Sequence, residues 1–232
     1  MSHYLFANWK ANKNAAQLRT WAEEFQNGLH STTAPLEVVV LPSFVHLAEL
    51  NSLLPKVALG VQTLSPFANG AYTGAVTAAM VREYAQYALL GHAERRTHFH
   101  ETDQVVAQQV EQALASGVVP VVAVHDQNWS SQLAMFTNEQ LARLLVMYEP
   151  PEAISTGGGV AADVNAVVQV VTQIKQAYAV AGVLYGGSVS AANARTFFAQ
   201  DSIDGAVVGA ASLDAATFLT IVQEALAGVK SK

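Results

Sequence analysis

The chain has 232 residues, 51% of them hydrophobic, a formal net charge of −6 and no cysteine. That length and apolar content suit one large domain with a sizeable core, and a (β/α) barrel commonly fills about 250 residues as a single unit. The acidic balance argues against nonspecific nucleic-acid or anionic-membrane binding, and the missing cysteines exclude disulfide and thiolate chemistry and fit a reducing, cytoplasmic setting.

Met1-Ser2-His3-Tyr4 lacks a basic segment followed by a long apolar one, so no signal peptide is expected, and no apolar run reaches membrane-spanning length. Tyr4 to Lys10 opens as a strand ending in polar residues. Leu18, Trp21, Ala22, Phe25 and Leu29 then recur at helical spacing. Leu36 to Leu41 is a second strand, stopped by Pro42, and a short helix runs through Val45 to Leu53. Val57 to Gln62 is a third strand, followed by a long loop rich in Gly, Pro, Asn and Ser from Thr63 to Gly74. A helix from about Thr77 leads to the strand Tyr87–Gly91, and His92-Ala93-Glu94-Arg95-Arg96 follows. Val106, Val110, Ala113 and Leu114 mark a helix before the fifth strand, Val118 to Val124. His125 to Arg143 holds at most a short helix or two.

The sixth strand, Leu144 to Tyr148, ends abruptly in Glu149, Pro150 and Pro151, and a glycine tract, Gly157-Gly158-Gly159, comes soon after. The prolines stiffen the exit and the glycines loosen the far end, which suggests a base beneath a lid. A helix carries Val164, Val167, Val168, Val171 and Ile174. Gly182 to Tyr185 is the seventh strand, a helix covers about Ala191 to Phe198, and Gly205 to Gly209 is the eighth strand. Phe218, Ile221, Val222, Ala225 and Leu226 form the last buried stripe.

Regular alternation of apolar strands with helices implies a parallel sheet covered on both faces. Eight such units favour a closed (β/α)8 barrel, an α/β fold occupying residues 1–232 as a single domain. In such a barrel the chemistry sits at the C-terminal ends of the strands. The residues there are Asn8, Lys10, Gln62, His92, Glu94, His125, Asp126, Glu149, Gly186-Gly187-Ser188 and Gly209-Ala210. Small-residue loops after strands seven and eight often bind phosphate. The set suits proton transfer beside the carbonyl of a small phosphorylated substrate. His98, His100 and Glu101 match no standard metal-ligand spacing, and Arg95 and Arg96 read as salt-bridge formers. Gly157-x-Gly159-x-x-Ala162 loosely matches a dinucleotide fingerprint, but it follows the sixth strand and lacks the distal acid. Two other readings stay open on these residues: a different phosphosugar enzyme on the same barrel, or a phosphate-binding scaffold without activity.

Asn8-Trp9-Lys10, Gly70-Ala71-Tyr72-Thr73-Gly74, Gly91-His92-Ala93-Glu94-Arg95-Arg96, Tyr148-Glu149-Pro150, Ile154-Ser155-Thr156-Gly157 and Tyr185-Gly186-Gly187-Ser188 together resemble the triosephosphate isomerase family. The likeness runs from Ala7 to Leu213, and the short stretch between strands five and six resembles compact archaeal members. The resemblance implies interconversion of dihydroxyacetone phosphate and glyceraldehyde 3-phosphate, with no cofactor or metal. It implies Glu149 as the base and His92 as a neutral electrophile, a pairing that is this family's known chemistry and not a reading of the spacing. It further implies Lys10 and Asn8 as partners of the developing negative charge. Main-chain N–H groups at Ser155, Gly187, Ser188, Gly209 and Ala210 would hold the phosphate. Tyr185 and Ser188 would bond the closed lid, and Glu94 would stand as an acid near Lys10. Thr73 would reach a second copy, so a homo-oligomer, a dimer or tetramer built around the third loop, is expected.

The pattern has departures. Ser155 stands where the family has glycine, and a left-handed backbone there would cost roughly 1–2 kcal/mol. Ala93 replaces a serine that often holds the base, Ala210 replaces a glycine, and Gly158 and Gly159 replace bulkier hinge residues. Ala75 replaces a glutamate that normally pairs with an arginine, here Arg95, of a neighbouring subunit.

Overall fold

A computed structural model of the chain describes residues 3–29, 36–150 and 162–229. Eight parallel strands close into a barrel in sequence order: β1 His3–Asn8, β2 Leu36–Leu41, β3 Ala58–Val61, β4 Tyr87–Leu90, β5 Val119–Val124, β6 Leu145–Tyr148, β7 Gly182–Tyr185 and β8 Gly205–Val208. Closure is made where Tyr4, Leu5, Phe6 and Ala7 pair with Gly205, Ala206, Val207 and Val208. The expected (β/α)8 barrel is the fold of this chain.

Strand side chains alternate between two cores because successive residues point to opposite faces. Phe6, Val39, Leu41, Leu89, Val121, Leu145, Met147, Leu184 and Val207 fill the barrel interior. Their neighbours Leu5, Ala7, Val40, Leu90, Val122, Val146, Val183 and Val208 pack outward against the helices. The inward parity then predicts which residues crown the interior. Two steps beyond Phe6 lies Asn8, and two beyond Met147 lies Glu149, both buried.

The helices are α1 Ala15–Gly28, α2 Leu47–Leu53, α3 Ala78–Val81, α4 Ala93–Phe99, α5 Asp103–Ala115, α6 Trp129–Leu133, α7 Asn138–Leu141, α8 Val164–Ala177, α9 Ala194–Phe198 and α10 Ala215–Gly228. In α1 an Asn14–Gln17 capping box opens the helix, and Leu18, Trp21, Ala22 and Phe25 bury one stripe. Asp163 and Asp214 cap α8 and α10 in the same way, through side chains that accept main-chain N–H groups.

Two helices are shorter than the sequence pattern suggests. α3 is a single turn, ending where Tyr84 and Ala85 both donate to the Val81 carbonyl. α9 begins at Ala194 and not Ala191. Asn193 accepts from Ser190 N–H and donates to Ser188 O, each at 2.8 Å, so its amide organises residues 188–193 as a turn. The unclear stretch from His125 to Arg143 resolves into α6 and α7, the latter opened by a Thr137–Gln140 capping box. Among the described residues no helix is long and apolar enough to cross a membrane.

Candidate active site

The rim at the C-terminal ends of the strands collects side chains far apart in sequence. Asn8 closes β1 and stays buried, its Oδ1 accepting the Lys10 N–H at 3.1 Å. Lys10 then adopts a left-handed backbone, φ 53, unusual for a residue with a side chain. Its carbonyl is held by Gln62 Nε2 at 2.9 Å and Ser43 Oγ at 3.2 Å. Its ammonium meets Glu94 Oε1 at 2.5 Å, with both side chains about one quarter exposed, 23% and 25%. These ties over-determine a conformation that alone would cost roughly 1–2 kcal/mol.

Gly91 follows β4 at φ +68, and a Cβ there would meet Arg96 and Val106 at 2.8 Å. This turn delivers His92 to the N-cap of α4, where its Nδ1 accepts the Glu94 N–H at 3.2 Å. The ring proton therefore sits on Nε2, which faces Glu149 Oε1 at 3.2 Å. Burial, outweighing the nearby Glu94 carboxylate, lowers the His92 pKa to about 4. The imidazole is neutral at physiological pH.

Glu149 leaves β6 with its N–H on Val124 O at 2.8 Å. Its Oε2 accepts the Ala93 N–H at 3.2 Å, so the main chain at Ala93 does what a serine side chain was expected to do. Burial raises its pKa to about 8, against the lowering effects of the Ala93 N–H, Lys10 and Arg96. A carboxyl group with a raised pKa beside a neutral N–H donor can take up a proton and steady an oxyanion together. Beside this pair, Asn8, Lys10, Ala11, Gln62, Leu89, His92, Glu94, Arg95 and Phe99 line a cavity of about 160 Å³.

The small-residue loops stand across the rim. Tyr185 is fully buried and stacked on Phe197, with ring centroids 4.2 Å apart. Its hydroxyl accepts the Ala162 N–H at 3.3 Å and bonds the main chain of Ser188. Gly187 passes so close to the Tyr185 phenol that a Cβ would collide with it. Gly209 precedes a 3-10 turn, Ala210–Ser212, in which Ser212 N–H and Oγ both return to Gly209 O. Ser155 and the Gly157–Gly159 hinge lie outside the described residues. Thr73 is exposed in the third loop, near the stacked and partly exposed rings of Phe67 and Tyr72.

Sequence reasoning missed three contributors: the Ala93 N–H, the Gln62 and Ser43 clamp on Lys10, and the ties of Arg96. Only Gly91, a glycine between a strand and a histidine, gave a local signal. Arg95 pairs with Glu101 of its own chain at 2.6 Å and lies 4.4 Å from the Phe99 ring. Glu101 is thereby engaged. Among the described residues no group of three or more His, Asp or Glu is placed to hold a metal.

Comparison with known proteins agrees with this geometry. A family profile described as triosephosphate isomerase matches residues 3–225. The triosephosphate isomerase of Porphyromonas gingivalis is 34% identical, covering 93% of this chain and 96% of that protein. The triosephosphate isomerase of Delftia acidovorans is 38% identical, covering 95% and 98%. The crystal structure of triosephosphate isomerase from Bartonella henselae superposes with a TM-score of 0.82 at 25% identity, covering 97% of this chain and 99% of that one.

Proposed function

We propose a role for each residue of this site from one premise: the chain belongs to the triosephosphate isomerase family. It is an intramolecular isomerase that interconverts dihydroxyacetone phosphate and glyceraldehyde 3-phosphate, a step of glycolysis and gluconeogenesis. The division of labour rests on one observation: His92 Nε2 faces Glu149 Oε1 at 3.2 Å while Nδ1 is occupied by the Glu94 N–H.

Glu149 removes a proton from the carbon beside the carbonyl, and the C–H electron pair becomes the C=C bond of an enediolate. The former carbonyl oxygen takes the negative charge and is met by the His92 N–H and the Lys10 ammonium. The proton of the neighbouring hydroxyl passes to the former carbonyl oxygen by way of the His92 imidazole, which gives one proton and takes another. The vacated O–H pair becomes the new C=O, and Glu149 returns its proton to the former carbonyl carbon, which takes up the C=C pair and completes the exchange of aldehyde and ketone. A neutral imidazole suits this role, since it donates a hydrogen bond and remains a weak acid; this is the family's established pattern. Asn8 buttresses Lys10 through the bond to its N–H. Glu94 holds the Lys10 ammonium until substrate charge competes for it. The main chain at Ser155, Gly187, Ser188, Gly209 and Ala210 receives the phosphate. Tyr185 ties the Ser188 loop to Ala162, at the far end of the segment that follows Glu149.

The chain works as one domain over residues 1–232, in the cytoplasm, as a dimer or tetramer joined around the third loop. Support for the assembly comes from exposed apolar side chains at Val45, Phe67, Tyr72, Met80 and Phe99, of which Phe67 and Tyr72 share the third loop with Thr73. Sedimentation at micromolar concentration should give an oligomer, and a monomer would overturn the assembly. The catalytic reading is tested by the isomerisation of glyceraldehyde 3-phosphate with Glu149→Gln as a paired control. Fast turnover lost in the control is expected; equal rates would overturn the role of Glu149.

A further inference from the structure

The roles above leave Arg96 unused, although its guanidinium is only 15% exposed and bonded on every side. Nε donates to Gly91 O at 2.6 Å, and Nη1 pairs with Asp103 Oδ1 at 2.6 Å. Nη2 donates to Gln132 Oε1 at 2.8 Å and to Ala123 O at 3.4 Å. The main-chain N–H of Arg96 donates to His92 O at 3.1 Å.

Two peptide planes flank the Cα of His92, and Arg96 bonds the carbonyl of each. The first plane joins Gly91 to His92, and the Arg96 side chain holds it in the left-handed turn. The second joins His92 to Ala93; its C=O takes the main-chain N–H groups of Arg95 at 2.8 Å and Arg96 at 3.1 Å, bonds that any residue at 96 would keep, and its N–H donates to Glu149 Oε2. With both planes held, the backbone of His92 is restrained, the first plane by the Arg96 side chain and the second by helical main-chain bonds. The same guanidinium touches β5 at Ala123 O, one residue before the Val124 carbonyl that anchors the Glu149 N–H.

We infer that Arg96 is a positioning residue for the proton transfer, acting through its side-chain bond to the Gly91 carbonyl, on the peptide plane that precedes His92, to aim both the imidazole and the Ala93 N–H at Glu149. This rests on the reading of His92 and Glu149 given above. Charge adds a second effect. Arg96 stands with Lys10 and the Ala93 N–H in favouring the Glu149 carboxylate, against burial and the like charge of Glu94, while His92 beside it is neutral. A lysine at this position would keep the charge but could not reach the Gly91, Asp103, Ala123 and Gln132 acceptors together.

The test compares R96M, R96K and D103N, each corrected for folded fraction by circular dichroism. Asp103→Asn removes the ion pair but leaves Arg96 on Gly91, so it controls for stability alone. R96M should lose roughly 10- to 100-fold in kcat with little change in KM, the size expected for a small misplacement of reacting groups. The acid limb of its pH profile should move upward. R96K should keep the wild-type limb and recover only part of kcat. D103N should stay within about threefold of wild type, since it touches neither peptide plane. Equal kcat losses in R96M and D103N, or an unmoved limb in R96M, would overturn the inference. If R96M does not fold, R96K decides alone: wild-type kcat in R96K would overturn the positioning role.

The 15N and 1H resonances of the His92 Nε2–H, read without turnover, give an independent arm. They should shift in R96M and R96K and stay in place in D103N. An inactive wild type would defeat the isomerase reading, whereas an unmoved His92 resonance in the Arg96 variants would defeat the positioning role.

Discussion

His92 Nε2 lies 3.2 Å from Oε1 of Glu149, and the adjacent Ala93 N–H donates to Oε2 at the same distance. Both carboxylate oxygens thus face one short neutral segment, and among the described residues no Lys or Arg lies within ion-pair distance of them. Desolvation consequently dominates, and the Glu149 pKa stands at about 8. The profile of kcat/KM against pH, which reports the free enzyme, should show its acid limb well above the ordinary carboxylate range, at about 8. A limb at 4 to 5, the ordinary range for a glutamate, would contradict this burial. Glu149→Gln should lower kcat by about 10²–10⁴-fold, the usual contribution of a positioned base.

The same burial links the site to stability. Glu149 keeps its proton in the folded chain up to about 8, whereas an unfolded glutamate releases it near 4.5. Between those values the folded state binds more protons, so stability falls as pH rises. Each unit of separation is worth about 1.4 kcal/mol, for a total on the order of a few kcal/mol. Glu149→Gln should therefore melt higher than wild type at pH 9, with the advantage shrinking toward pH 4. Parallel melting curves across this range would contradict it.

His92 carries the opposite sign. Its folded pKa of about 4 lies below the unfolded value of 6.5, so the unfolded chain binds the extra proton between them. Its contribution to stability is complete above pH 6.5 and is lost as pH falls toward about 4. Imidazole 15N shifts should report a neutral ring with the proton on Nε2 throughout that window. A titration midpoint at 6.5, the model-peptide value, would show the ring to be solvated.

Gln62→Met removes both donations from its amide, to the carbonyls of Lys10 and Leu41, each at 2.9 Å. Two lost bonds should cost roughly 1–3 kcal/mol in stability. The left-handed backbone of Lys10 would lose part of its restraint, so kcat should fall although Gln62 itself has no role in the proton transfer proposed above. Urea denaturation beside steady-state kinetics checks both effects; unchanged kcat would show that Ser43 and Asn8 suffice to hold Lys10.

The barrel was legible in the sequence because its signals are local and repeated. Valine-rich strands, helical stripes such as Leu18 to Phe25, and glycines after strands each mark one element. The acids and bases were legible for a related reason: a polar residue at the end of an apolar run has few other readings. Contacts made only on folding were not. Nothing near Ala93 announces that its N–H replaces a serine side chain, since that bond spans 56 positions. Arg96 reads as a salt-bridge former, and its pair with Asp103 is one, but nothing local announces its bonds to Gly91, Ala123 and Gln132. The start of α9 was overdrawn because a turn held by a side-chain amide, as at Asn193, looks helical in composition.

Closure of the ring by β1 and β8 joins residues 4–7 to residues 205–208. Lys10 is carried by β1, while the loop at Gly209 is carried by β8. The outer helices, by contrast, draw their capping bonds from residues next to them in sequence. In refolding, helical signal should therefore return before activity, because the rim is incomplete until the two ends of the chain have met. Enzyme turnover is then a timer for the last long-range pairing, and substitutions that loosen the β1–β8 seam should slow the recovery of activity more than the recovery of helix.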